Sequence, residues 1–188
     1  MRLFAAVYPP APAVEHLVSF VSGLRVGLAA VEGVNTRLAR ADTLHVTMAF
    51  LGDVADERLT AVTAALARAV DGPAPSVCLT GGGRFGRGAF TVLWTGLGGD
   101  VDALRGLAGT LRRSLKKARL PHDDRPWKPH LTIARPGDRL DRAAVDADRA
   151  ALADYRGPVW PAAEVVLMRS HLGPRPTYDR LAAWPLQP

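Results

Sequence analysis

Two stretches of the chain are near-copies: HVTMAF, from His45 to Phe50, and HLTIAR, from His130 to Arg135, 85 residues later. The copying runs past the hexapeptides. At the same shift Thr47 falls on Thr132, Ala49 on Ala134, Gly52 on Gly137, Asp53 on Asp138 and Asp56 on Asp141. A repeat of this period restricts the fold more than any other feature, because each copy is a supersecondary unit that buries its apolar face against its twin.

Each copy reads as a strand, a Gly-Asp turn and a helix with an aspartate cap: Asp56 before a helix to about residue 70, and Asp141 before one to about residue 155. Each is preceded by a strand and a helix. In the first half these are residues 2–8 and 13–31, where Val14, Leu17, Val18, Val21, Leu24 and Leu28 recur at helical spacing. In the second half they are residues 90–97 and 101–118. Residues 37–39 form a short strand, Val77 to Leu79 begin another, and GGGRFGRG (81–88) makes a flexible turn. Residues 164–172 and 178–184 form a closing strand pair joined by Gly173-Pro174-Arg175-Pro176. A pseudo-twofold between the halves would bring equivalent strands to their shared interface.

Side chains alternate along a strand. His45, Thr47 and Ala49 therefore share one face, and Val46, Met48 and Phe50 the other. His130, Thr132 and Ala134 likewise oppose Leu131 and Ile133. One face belongs to the core. The other offers an imidazole and a hydroxyl over a small alanine, which leaves room for a ligand. Two imidazoles around one cleft suit phosphodiester chemistry. One can be neutral and take a proton from water while the other is charged and gives one to the departing oxygen. Threonine hydroxyls can donate to the non-bridging oxygens, where charge grows in the transition state. A bell-shaped pH profile with both limbs near neutrality is expected.

Rival readings narrow quickly. Catalytic zinc usually takes a third protein ligand, and neither strand carries a carboxylate or cysteine beside its histidine, so no metal is expected. The remaining histidines read as solvated (His16 and His122) or as a candidate to line the cleft (His171). GGGRFG lacks the helix that a dinucleotide loop needs directly after its glycines, so no cofactor is expected. RRSLKKAR, 112–119, ends a helix, where basic residues suit the helix dipole and an RNA-backbone contact is a second role. The net charge of +6 favours an anionic partner. The one cysteine, Cys78, reads as a small buried hydrophobe in a reducing cytoplasm. No signal peptide or membrane span is expected.

The same residues resemble the 2H phosphoesterase superfamily, named for its two His-x-Thr motifs, and within it the bacterial RNA 2′,3′-cyclic phosphodiesterases of the 2′-5′ RNA ligase group. MRLFAAVYPP looks like the opening strand, LHVTMAFLGDV the first motif, FTVLWTGL the middle strand, WKPHLTIARP the second motif and SHLGPRPTYDRLAAWPL the closing segment. The resemblance implies a single α+β domain over residues 1–188, bilobal and duplicated, with two antiparallel sheets around a central cleft and helices outside. It implies hydrolysis of a 2′,3′-cyclic phosphate to a 2′-phosphate, with 2′-5′ ligation as a reverse-type activity in some members. His45 would be the proton donor and His130 the proton acceptor. Thr47 and Thr132 would hold the phosphate, with Arg135 and Phe50 contacting phosphate or nucleotide. Strict alternation turns Arg135 away from His130, so its role depends on the strand twisting or ending there. The partner would be an RNA or oligonucleotide bearing a cyclic phosphate end, bound by a cytoplasmic monomer. A non-catalytic RNA or nucleotide phosphate-binding module, and a phosphodiesterase for a small cyclic nucleotide, remain open alternatives.

Overall fold

The computed structural model describes residues 1–173 and 176–188. The strands are β1 (Arg2–Val7), β2 (Val46–Asp53), β3 (Ser76–Phe85), β4 (Val92–Gly99), β5 (Leu131–Ala134), β6 (Arg156–Pro161), β7 (Glu164–His171) and β8 (Thr177–Pro185). The helices are α1 (Ala11–Ser22), α2 (Arg25–Val31), α3 (Leu59–Ala67), α4 (Val101–Lys117) and α5 (Arg142–Ala153). All eight strands join one sheet in the order β6-β3-β4-β5-β2-β1-β7-β8, and every named pairing is antiparallel.

The expected two sheets are thus one α+β sheet. Its halves are joined at its centre by the β2–β5 pairing, through Val46 and Leu131. These two residues are equivalent under the shift of 85, so the local twofold passes between them. The halves are not successive pieces of chain. After α3 the chain crosses to place β3 beside β4, and after β6 it crosses back to place β7 beside β1.

Helix and strand residues share the main core on one face of the sheet. Leu17, Val62, Leu104, Leu111 and Leu152 pack there with Leu3, Val46, Met48, Leu79 and Leu131. The opposite face carries a smaller apolar patch of Phe4, Ala6, Val166 and Met168, bordered by Tyr8, Phe50 and Tyr178.

Local differences from expectation have local causes. The helix over 13–31 breaks at Gly23, and α2 leaves α1 at 80°. The buried carboxylate of Asp148 fixes the new start by accepting from the N–H groups of Arg25 at 2.6 Å and Val26 at 2.9 Å. Asp141 caps α5 through Ala144 N. Asp56 caps nothing; it pairs with the N-terminal ammonium at 3.3 Å, and a short 3₁₀ turn precedes α3. Residues Gly81 to Gly83 lie inside β3, not in a turn. A Cβ on Gly83 would come within 2.6 Å of the Trp94 indole, so only glycine admits that ring. Of the expected linker 173–176, Pro174 and Arg175 fall outside the described residues. No single helix among the described residues is long and apolar enough to cross a membrane.

Candidate active site

Both His-x-Thr strands contain the same irregularity. Val46 and Thr47 pair with Val7 and Ala6, but Ala49 then pairs with Ala5, leaving Met48 as an extra residue. On β5, Leu131 and Thr132 pair with Thr95 and Trp94, and Ala134 then pairs with Leu93, leaving Ile133 over. Each is a β-bulge one residue after the threonine, and a bulge shifts the phase of alternation.

The consequences correct the alternation reading. Ala49 and Ala134 are buried in the helix-side core, so neither is the small residue that leaves space for a ligand. Phe50 leaves the helix-side face and borders the smaller patch, with the Arg2 guanidinium 4.8 Å from its ring centroid. Arg135, two residues beyond the second bulge, returns to the side of the histidines. Its charge acts on both His45 and Tyr178. The small neighbour of Thr47 is Ala6, across on β1.

The antiparallel register about Val46 and Leu131 sets His45 across from Thr132, and Thr47 across from His130. Four functional side chains therefore form a two-by-two array in which each histidine faces the other strand's threonine. Directly opposed residues in such a pair have Cβ atoms about 4.5–5.5 Å apart.

The two imidazoles are held by identical local devices. His45 Nδ1 donates to the carbonyl of Thr43 at 2.7 Å, and His130 Nδ1 donates to the carbonyl of Lys128 at 2.8 Å. A carbonyl only accepts, so Nδ1 carries the proton and Nε2 is the acceptor when the ring is neutral. The loop before β5 is docked along β2 to bring His130 there. Asp123 N donates to Phe50 O at 2.8 Å and Trp127 Nε1 to Thr47 O at 2.8 Å.

Their surroundings differ. His45 is stacked on Phe4 at 4.7 Å between centroids, with Tyr8 at 5.6 Å and Tyr178 edge-on at 5.3 Å. Burial in this aromatic shell lowers its pKa to about 4. The Thr43 carbonyl opposes that shift, while the charges of His130 and Arg135 add to it. Burial also pushes Tyr8 up to about 12, with Tyr178 adding to the rise and Arg180 opposing it. Its hydroxyl has no hydrogen-bond partner among the described residues. On the other side, His130 meets Phe85 edge-on at 4.9 Å and Trp94 at 6.3 Å.

The other histidines lie apart from this array. His16 bonds the Tyr155 hydroxyl at 3.1 Å. His122 is not solvated: its side chain is 9% exposed and its Nε2 meets Asp124 at 3.0 Å. His171 pairs with Asp179 at 2.6 Å, and alternation from Met168 puts it on the face away from the cleft. Phe4, Tyr8, Tyr178, Phe85, Trp94 and Lys128 are site neighbours that motif reasoning did not single out. The even spacing of Phe4 in β1 and Tyr8 just past its end is the signal that places both rings on one face.

The fold and array together define a class: duplicated α+β proteins with paired His-x-Thr strands at a sheet centre. The sequence model of the 2′-5′ RNA ligase superfamily matches residues 9–174, and the chain belongs to that superfamily. It is 33% identical over 144 residues to an RNA 2′,3′-cyclic phosphodiesterase of Geobacillus stearothermophilus, covering 76% of this chain and 45% of that protein. It is 33% identical over 99 residues to the Escherichia coli protein of the same name, covering 53% and 54% of the two chains. A third such protein, from Archaeoglobus fulgidus, is 30% identical over 72% of each chain. The chain thus spans about half the length of the first two relatives. Among solved structures, E. coli LigT complexed with NADP+ matches with a TM-score of 0.76 at 25% identity, covering 100% of this chain and 98% of that one. A Thermus thermophilus protein, TT0787, matches with a TM-score of 0.73 at 27% identity and the same coverage.

Proposed function

We propose that this protein hydrolyses RNA 2′,3′-cyclic phosphodiester ends to 2′-phosphomonoesters by two-histidine acid–base catalysis, without metal. The observation that carries the reading is the crossed His/Thr array, in which both Nδ1 atoms are tied to backbone carbonyls, which leaves both Nε2 atoms for proton transfer. Three relatives named RNA 2′,3′-cyclic phosphodiesterase support it, as do E. coli LigT structures complexed with phosphate and with 3′-AMP.

In this mechanism Thr47 and Thr132 donate to the non-bridging oxygens, and Arg135 supplies a cation to the phosphate. Phe50 borders the nucleoside. His130 Nε2 takes a proton from water as the water oxygen bonds to phosphorus. The P–O3′ bond breaks and His45 Nε2 gives its proton to the 3′-oxygen, leaving the phosphate on O2′. Each transfer contributes roughly 10²–10⁴-fold.

The aromatic shell makes the donor role depend on substrate. A histidine held at about 4 carries no proton near neutrality. A phosphodiester anion against Nε2 favours the charged ring and raises that value. Substrate binding therefore takes up a proton, measurable by calorimetry in buffers of different ionisation enthalpy. The acidic limb of kcat/KM falls near 4 instead of near neutrality, because that ratio reports the free enzyme.

The direct test is hydrolysis of an oligonucleotide with a 2′,3′-cyclic phosphate end in EDTA. Full activity of His45→Ala or His130→Ala would sink the reading. We take the working form to be a cytoplasmic monomer, which sedimentation of the active protein checks.

A further inference from the structure

Beside His45 lies a recess of about 120 Å³ that the acid–base step does not use, lined by Arg40, Asp42, Thr43, Met168, Thr177 and Tyr178. Tyr178 is the shared wall: its ring meets His45 edge-on at 5.3 Å and is partly exposed. Met168 adds an apolar side, continuous with the small patch around Phe4. Much of the polar lining comes from one short stretch of chain. A 3₁₀ turn over Ala41–Thr43 carries it, closed by Thr43 N donating to Arg40 O at 2.9 Å and the Thr43 hydroxyl donating to the same oxygen at 2.8 Å. The carbonyl of Thr43 is also the one that holds His45 Nδ1. One turn therefore shapes the recess and orients the first imidazole.

Two parallel bonds from Arg40 fix the plane of the Asp42 carboxylate, Nε to Oδ1 at 3.0 Å and Nη2 to Oδ2 at 2.6 Å. Each oxygen keeps a lone pair beyond the one that Arg40 uses. Both side chains are 61% exposed, so that capacity is open to a ligand. Tyr8, which feels the charges of Tyr178 and Asp42, has a buried hydroxyl with no partner among the described residues. A buried, unsatisfied hydroxyl close to an open carboxylate is what a polar ligand completes. An aromatic wall and a fixed carboxylate, one ring removed from His45, form the chemistry that seats a base by its face and reads it by its edge. The edge required is specific. A carboxylate only accepts, so its two oxygens call for two adjacent donors. Guanine offers N1–H beside its exocyclic amine. Adenine and cytosine set a ring acceptor beside theirs, and the N3–H of uracil stands between two carbonyls.

We infer that this recess is a base-specificity subsite, in which the nucleoside bearing the cyclic phosphate stacks on Tyr178 and presents the Watson–Crick edge of guanine to Asp42. Arg40 is a positioning residue that holds the carboxylate plane. The preferred substrate is an RNA end that terminates in guanosine 2′,3′-cyclic phosphate. The subsite rests on the proposed phosphodiesterase reading for the phosphate beside it, and not on which histidine gives the proton.

Inosine tests it through a single group, because it is guanosine without the exocyclic amine. Hydrolysis of the 2′,3′-cyclic phosphates of guanosine, inosine, adenosine and uridine is compared in EDTA, alongside calorimetric binding of the guanosine and inosine 2′-monophosphates. In the wild type, kcat/KM for guanosine should exceed that for inosine roughly tenfold, the scale of one hydrogen bond to a charged acceptor, with adenosine and uridine lower than guanosine. The two Kd values should differ in the same sense. Asp42→Asn offers an amide donor where the guanine amine needs an acceptor, so the guanosine-to-inosine ratio should fall to one or below. Equal turnover of the guanosine and inosine compounds by the wild type would overturn the subsite without any variant. So would a preference that survives Asp42→Asn. A wild type inert on every cyclic phosphate would overturn the hydrolytic reading. In that case a tenfold binding preference for the guanosine monophosphate would support the subsite as a binding site, and equal binding would overturn it as well.

Discussion

His45 and His130 occupy equivalent places in a repeated unit, yet one is enclosed and the other open. Each ring is tied by Nδ1 to the carbonyl two residues before it, and each faces a threonine across the twofold. Around His45, however, strands from distant parts of the chain bring Phe4, Tyr8 and Tyr178 to within ring contact. Around His130 the aromatic rings stand edge-on. Duplication supplies the geometry, and divergence of the wall places His45 alone in the apolar surroundings that lower its pKa to about 4.

The largest expected effect tests whether the pair acts as a unit. His45→Ala and His130→Ala should each lower turnover by roughly 10²–10⁴-fold. The double variant should fall little further, because removing either member disables the pair. Full additivity in single-turnover kinetics would show two independent sites.

A smaller effect tests the enclosure. The pKa of His45 is depressed in the folded protein, so between its ordinary value and about 4 the unfolded chain binds the extra proton. Its neutral ring adds stability above the ordinary value, and that contribution is lost as pH falls toward 4. The full swing is on the order of 2–3 kcal/mol. Thermal melts across this range should show the slope, and His45→Gln should flatten it. An unchanged slope would remove the enclosure from the account.

Next come the hydroxyls. Thr47→Val and Thr132→Val each delete one donor to a developing charge, for about a tenfold loss in kcat, with little change in melting temperature. A loss confined to one of them would break the symmetry of the array. The smallest effect comes from thinning the wall. Phe4→Leu should let water reach His45 and raise its pKa by about one unit. Proton-detected titration of the imidazole reads that change directly.

The repeat made the paired strands, their flanking elements and the His/Thr pairs legible, because identity at a fixed shift survives in a single sequence. The phase error at Ala49, Phe50, Ala134 and Arg135 was not legible. A bulge belongs to a pairing, set by where Ala5 and Leu93 lie on the neighbouring strands, and alternation along one strand carries no trace of it. The union of two expected sheets into one rests on the single pair Val46 and Leu131, again a contact between chain segments. β6 escaped notice for a different reason. Its Gly-Pro interrupts any alternating pattern, which an edge strand tolerates and a central strand does not. Tyr178 lay in plain sight as one aromatic in a closing strand, but its place beside His45 depends on the crossing of β7 and β8 into the first half.

That crossing bears on how the protein is made. β1 and β2, with His45, are synthesised early, but their neighbours β7 and β8 come from the far end of the chain. A nascent chain therefore holds its first histidine without the Tyr178 wall, and its second His-x-Thr strand is still to come. Contacts of such long sequence separation form late and slowly. Until β5, β7 and β8 are in place, an incomplete chain therefore carries neither the paired His/Thr array nor the finished wall around His45.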